Sequence, residues 1–202
     1  MLSVQQLACE RGRKRLFSGL NFEVQPGQCL QVHGANGAGK TSLLRIVCGL
    51  ADAAHGRVCW DGADTRLDPG AFRAELVYLG HAPGLKDELS AAENLDYQSR
   101  IDGCAPCAQH IAAALQRVGL DRQQHLPVRR FSQGQKRRAA LARLIARPAR
   151  LWVLDEPLAA LDQAAQQLVS ELVAGHLQAG GLALVTSHQP LGVASMALRL
   201  GA

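Results

Sequence analysis

Residues 34–41 read Gly34, Ala35, Asn36, Gly37, Ala38, Gly39, Lys40 and Thr41, a complete G-x-x-x-x-G-K-T phosphate loop. The loop constrains the fold because it works only between a strand and a helix. Cys29–His33, before it, alternates apolar and polar side chains as a strand does. Ser42–Cys48, after it, has the apolar spacing of a helix, and Gly49 is a stop signal. The glycines let the backbone curl so that successive N–H groups face one cavity, and the helix N-terminus adds the positive end of a dipole. A polyphosphate is therefore expected here, with Lys40 on its β- and γ-phosphates and the Thr41 hydroxyl on magnesium.

The second half of the chain narrows the reading. Ser132 and Gln135 stand in the S-x-x-Q relation of a capping box, around Gly134, at the start of a helical stretch that runs to about Ala146. That N-terminus is a second candidate phosphate grip. Leu151–Leu154 is an apolar run suited to a buried parallel strand, and it ends in Asp155 and Glu156. Asp155 is placed to hold magnesium and Glu156 to orient an attacking water. Ala159, Ala160, Leu161 and Asp162 follow, and a last apolar strand, Leu182–Thr186, delivers Ser187 and His188.

The remaining pattern is α/β in order. Leu2–Leu7 and Leu20–Val24 alternate as strands, Arg57–Trp60 and Leu76–Leu79 read as strands, and residues 80–84 form a loop containing His81. Ser90 and Glu93 make another capping box, opening a helical pattern that reaches about Val118. The 202 residues suit one domain. No apolar run approaches the roughly 18–20 residues that span a bilayer, and Met1–Gln6 does not read as a signal peptide, so a soluble chain kept in the cytoplasm is expected. The net charge is +5, concentrated in Arg129, Arg130, Lys136, Arg137, Arg138, Arg143, Arg147 and Arg150. Without interleaved aromatics this reads as a solvated helix face rather than a nucleic-acid surface. Cys104 and Cys107 form a lone C-x-x-C with no second ligand pair, which reads as loop or first helical turn rather than a metal or redox site. Trp60 and Trp152 sit in apolar strands and read as core.

Phosphate loop, S-x-G-Q, strand-end Asp-Glu, an L-D loop and a late histidine, in that order, resemble the nucleotide-binding subunits of ABC transporters. The resemblance spans nearly all of the chain; Phe131, Ser132, Gln133, Gly134 and Gln135 depart mildly from the commoner Leu-Ser-Gly-Gly-Gln. It implies an α/β P-loop NTPase of the ABC ATPase type. Such a fold has a mostly parallel core sheet, antiparallel strands at the N-terminus and an inserted helical subdomain at about 85–147 of a single domain, 1–202. It further implies ATP and Mg2+ as ligands, Glu156 and His188 as catalytic residues, Thr41 and Asp155 on the metal, and Asp162 in the D-loop. Ser132, Gly134 and Gln135 would act in trans, from a second copy in a head-to-tail dimer. The slot usually held by the Q-loop glutamine is His81, followed by Ala82. The usual adenine-stacking aromatic is missing, and Arg11 could stack its guanidinium plane instead.

Cys9–Gly12 with Leu16–Leu20, the loop from Tyr78 to Gly84, and Ser187–Leu191 are similar to one subfamily, the ATP-binding subunits of bacterial cytochrome c maturation. This implies partnership with integral membrane subunits of that system, a place at the cytoplasmic face of the inner membrane, no span and no nucleic acid. Whether haem is exported or hydrolysis releases a haem-loaded carrier stays open at this point. So do two rivals: the ATPase of an exporter for another small solute, and a non-transport ABC ATPase.

Overall fold

The computed structural model describes residues 1–12, 14–103 and 107–201. Strands β1 (Leu2–Arg11), β2 (Lys14–Val24), β4 (His55–Trp60) and the short β5 (Ala63–Asp64) form an antiparallel sheet in the order β2-β1-β4-β5. Strands β3 (Cys29–His33), β6 (Leu76–Leu79), β7 (Leu151–Asp155), β8 (Leu182–Thr186) and β9 (Met196–Arg199) form a second sheet, β6-β7-β8-β3-β9, in which every neighbouring pair is parallel. Six α-helices accompany them among the described residues: α1 (Lys40–Val47), α2 (Pro69–Ala74), α3 (Ala91–Ile101), α4 (Ala108–Arg117), α5 (Gln133–Ala146) and α6 (Gln163–Gln178).

The middle of the parallel sheet is covered on both faces, which is why β7 and β8 are almost continuously apolar. Leu30, Val32, Leu151, Val153, Leu182 and Leu184 share one core with Leu43, Leu44 and Val47 of α1 and with Val4, Leu7 and Val58 of the antiparallel sheet. The alternate residues Cys29, Trp152, Leu154, Ala183 and Val185 share the other core with α3, α4, α5 and α6. Trp60 and Trp152 are buried, as their strand contexts predict.

Several elements differ from the sequence reading. Strands β1 and β2 run well past Leu7 and begin well before Leu20, because register shifts at Val4/Leu7, Leu7/Cys9 and Cys9/Glu10 break the two-residue alternation. The helix expected from Ser90 to Val118 is two helices: Asp102 caps α3, Gly103 turns left-handed (φ 78) behind it, and α4 starts afresh at Ala108. The Ser90–Glu93 capping box is formed, with both reciprocal bonds present. Strand β9, which the sequence pattern does not single out, is a short and mostly exposed edge. No helix is long and apolar enough to cross a membrane among the described residues. Cys104 lies outside them; Cys107 is exposed and precedes α4.

Candidate functional site

Strand β3 ends at His33, the loop 34–39 turns back, and α1 begins at Lys40. Gly39 is left-handed (φ 100), and a side chain there would press on Leu16 and Phe17 at 3.1–3.2 Å; at Gly34 it would meet the Leu200 carbonyl at 2.9 Å. Glycine is thus required by space as well as by dihedral. No side chain caps α1, so its first N–H groups stay available to an anion. Lys40 Nζ donates to the Gly34 carbonyl at 2.6 Å and to that of Ala35 at 3.4 Å, parked along the loop it belongs to.

The adjacent ends of β7 and β8 supply the acids. Asp155 is buried; its Oδ2 accepts from the Thr41 hydroxyl at 2.9 Å and its Oδ1 from Thr186 Oγ1 at 2.6 Å. Glu156 takes a left-handed backbone, φ 51, unusual for a side chain of its size. Its N–H donates to the Thr186 carbonyl and to Thr186 Oγ1, both at 3.0 Å. The His188 N–H donates to Glu156 Oε2 at 3.3 Å. His188 Nε2 stands 3.4 Å from Glu156 Oε1 without making a hydrogen bond, which leaves that oxygen buried and unpartnered. The sequence showed Thr186 only as the end of a strand; its hydroxyl is what joins Asp155 to Glu156.

These groups face one cleft of about 520 Å³, lined by loop residues, Thr41, Asp155, Glu156 and His188, and also by His81, Arg11 and Leu16. Its chemistry fits a nucleoside triphosphate with a hard cation. Free helix N–H groups and Lys40 suit phosphates, and the Thr41 hydroxyl beside the Asp155 carboxylate is an oxygen pair of the kind magnesium takes. Glu156 lines the cleft, with its Oε1 covered beside the His188 ring. Ser132, Gly134 and Gln135 do not line this cleft. They open α5, where Ser132 Oγ accepts from the Gln135 N–H at 3.2 Å and Gln135 Oε1 from the Ser132 N–H at 2.8 Å. Asp162 caps α6 through the Ala165 N–H and pairs with Arg138 at 2.6 Å. The Ala165 N–H, with Arg138, holds its carboxyl below the ordinary range.

The basic cluster is not a wholly solvated helix face. Lys136 pairs with Asp87, Arg129 with Glu88, and Arg150 with Asp61 and Glu75. Arg137 and Arg147 are buried. Arg147 donates to the carbonyls of Leu76, Arg73 and Ala74. Arg137 donates through Nη1 to Gly80 and His81 (2.9 and 3.2 Å) and through Nη2 to Asp155 and Glu156 (3.0 and 2.5 Å). Helical spacing held the clue: Arg137 lies four and seven residues before Leu141 and Leu144, on the buried stripe of α5.

The ABC transporter family description matches residues 17–159. Over 203 aligned residues covering all of both chains, this chain is 47% identical to the cytochrome c biogenesis ATP-binding export protein CcmA of Pseudomonas aeruginosa. It is 50% identical to the protein of the same name from Methylococcus capsulatus, over 95% of this chain and 93% of that one. Among solved structures, an ABC transporter ATP-binding protein from Pyrococcus furiosus superposes with a TM-score of 0.85 at 22% identity, covering 98% of this chain and 96% of that chain. A dimeric ATP-binding cassette in a post-hydrolysis state, bound to ADP and Pi, gives 0.81 at 21% identity, covering 94% and 88%.

Proposed function

The chain belongs to the ABC transporter family, and on that premise we propose that it is the ATP-hydrolysing subunit of an inner-membrane complex for cytochrome c maturation. The observation that carries the hydrolytic half is the convergence of Lys40, Thr41, Asp155, Glu156 and His188 on one cleft. The maturation half rests on relatives of that name at 47–50% identity over essentially the whole chain.

In this reading ATP lies along the loop 34–41, with α1 N–H groups and Lys40 on its phosphates and the Arg11 guanidinium against the adenine. Thr41 and Asp155 hold magnesium, which when bound neutralises charge on the phosphates. Catalysis of phosphoryl transfer is then positioning and charge stabilisation. Glu156 orients the attacking water, and His188 turns from Glu156 to the γ-phosphate. Ser132 and Gly134 of a second, head-to-tail copy close over the nucleotide, while Asp162 sits at the seam. Gln135 braces that grip through its bond to Ser132. The helices within about 85–147, with His81 at their junction to the sheet, face integral membrane subunits. The assembly then sits at the cytoplasmic face of the inner membrane, its hydrolysis serving haem export or release of a haem carrier.

Deleting the gene in its own host tests the physiological half. Covalently bound haem on c-type cytochromes should disappear while b-type haem persists, and a plasmid copy should restore it where a Lys40→Ala copy does not. Normal c-type cytochromes in the deletion strain would overturn the assignment to maturation and leave the ATPase assignment intact.

A further inference from the structure

Glu156 occupies a left-handed backbone region that strains a non-glycine residue and persists only where neighbours fix it. Its N–H is fixed by Thr186, and its carbonyl accepts the shortest of the four Arg137 bonds, 2.5 Å. The other three run to Asp155, on the same strand end, and to Gly80 and His81, just past the end of the neighbouring strand β6. One guanidinium thus fastens two adjacent strand ends, using both terminal nitrogens in a fork that no other side chain reproduces. The bland account is that Arg137 only satisfies buried carbonyls. Arg147, which caps the same helix and is equally buried, donates to carbonyls at the start of β6 and the end of α2 and pairs with Asp102 at 3.6 Å, away from the cleft.

We propose that Arg137 is a positioning residue for ATP hydrolysis: by clamping the Glu156 and Asp155 carbonyls to those of Gly80 and His81, it fixes the backbone from which Glu156 aims its carboxylate at water. The inference rests on the water-orienting role given to Glu156 above. Arg137 lies five residues after Ser132, in the second turn of α5, so the clamp also ties the aim of Glu156 to the helix that carries the signature residues. A displacement of order 1 Å at such a group is enough to cost a large factor in rate.

The experiment compares the full chain with Arg137→Met, Arg137→Lys, Glu156→Gln, the Arg137→Met/Glu156→Gln double variant and Arg147→Met. Each is measured for ATP turnover, for ATP affinity by equilibrium binding, and for melting temperature. Arg137→Met should lower kcat roughly tenfold or more with affinity within about twofold, because misaim at the water slows the reaction without loosening the phosphates. Arg137→Lys, which keeps the charge but reaches fewer carbonyls, should fall between Arg137→Met and the parent. In the Glu156→Gln background, Arg137→Met should change residual turnover by less than about twofold, since the group it aims is already lost. Arg147→Met should lower the melting temperature without this split between kcat and affinity. Equal losses in kcat and affinity would overturn the proposal, as would a full Arg137→Met effect in the Glu156→Gln background. If Arg137→Met does not fold, Arg137→Lys at parental kcat overturns the proposal by itself. If Glu156→Gln turns over at the parent rate, the water-orienting role is what fails.

Discussion

His81 stands where the nucleotide cleft meets the loop after β6; its side chain lines the cleft and is exposed, while its carbonyl is held by Arg137. An imidazole offers one donor and one acceptor in its neutral form, so it cannot supply both the carbonyl and the amide hydrogens of the glutamine that the resemblance leads one to expect there. In our reading the residue reports nucleotide state to the membrane partner rather than holding the metal. His81→Ala should therefore reduce cytochrome c maturation in cells by about fivefold or more while isolated-subunit turnover changes by less than about twofold. Both are measured on the same variant, and equal losses would instead place His81 in the chemistry. At this scale the sequence was most legible where a motif has fixed spacing: Lys40, Thr41, Asp155, Glu156 and His188 converge as their order implied. Arg137 was obscured by its charged neighbours, because composition cannot separate a guanidinium bound to carbonyls from one in water. Only its register with Leu141 and Leu144 separates them.

Helix α6 had no motif to announce its interior, yet it makes one pH-sensitive contact. The His176 ring stacks on Trp152, 3.9 Å apart and tilted by 5°, and contacts the Leu182 carbonyl at 3.1 Å. Burial pushes its pKa below the ordinary 6.5, against hydrogen bonds that act to raise it. With the folded value below the unfolded one, the neutral ring contributes its full stability above about pH 6.5, and that contribution is lost as pH falls toward the folded value. Melting temperature should therefore drop on acidification below about pH 6.5, and His176→Phe, which stacks without titrating, should flatten that part of the curve. Calorimetry of both proteins across the window checks it; identical slopes would remove His176 as the cause. Elements with strong local signals were legible in type: the apolar strands β3, β7 and β8, and the capped starts of α3 and α5. Boundaries were lost where local rules break, at the bulges of β1, at the turn after Ile101, and at the exposed edge strand β9.

Across the molecule, two cores back a single parallel sheet, and the strand ends that carry Asp155 and Glu156 meet the loop from β3 in one cleft. Ser132, Gly134 and Gln135 lie outside it. In our reading a second copy brings these residues to the cleft, and complementation between two disabled variants tests this. Glu156→Gln removes the water-orienting carboxylate but keeps the signature. Gly134→Asp places a carboxylate against the incoming phosphates, and at Gly134 an added Cβ meets nothing nearer than 3.7 Å, so the chain should still fold. Each alone should be nearly inactive. Mixed in equal amounts, random pairing gives about one intact site in four, built from the Glu156 of one copy and the signature of the other. Turnover by the mixture well above either variant alone is the predicted result. A mixture no more active than the mean of the two would contradict a shared site.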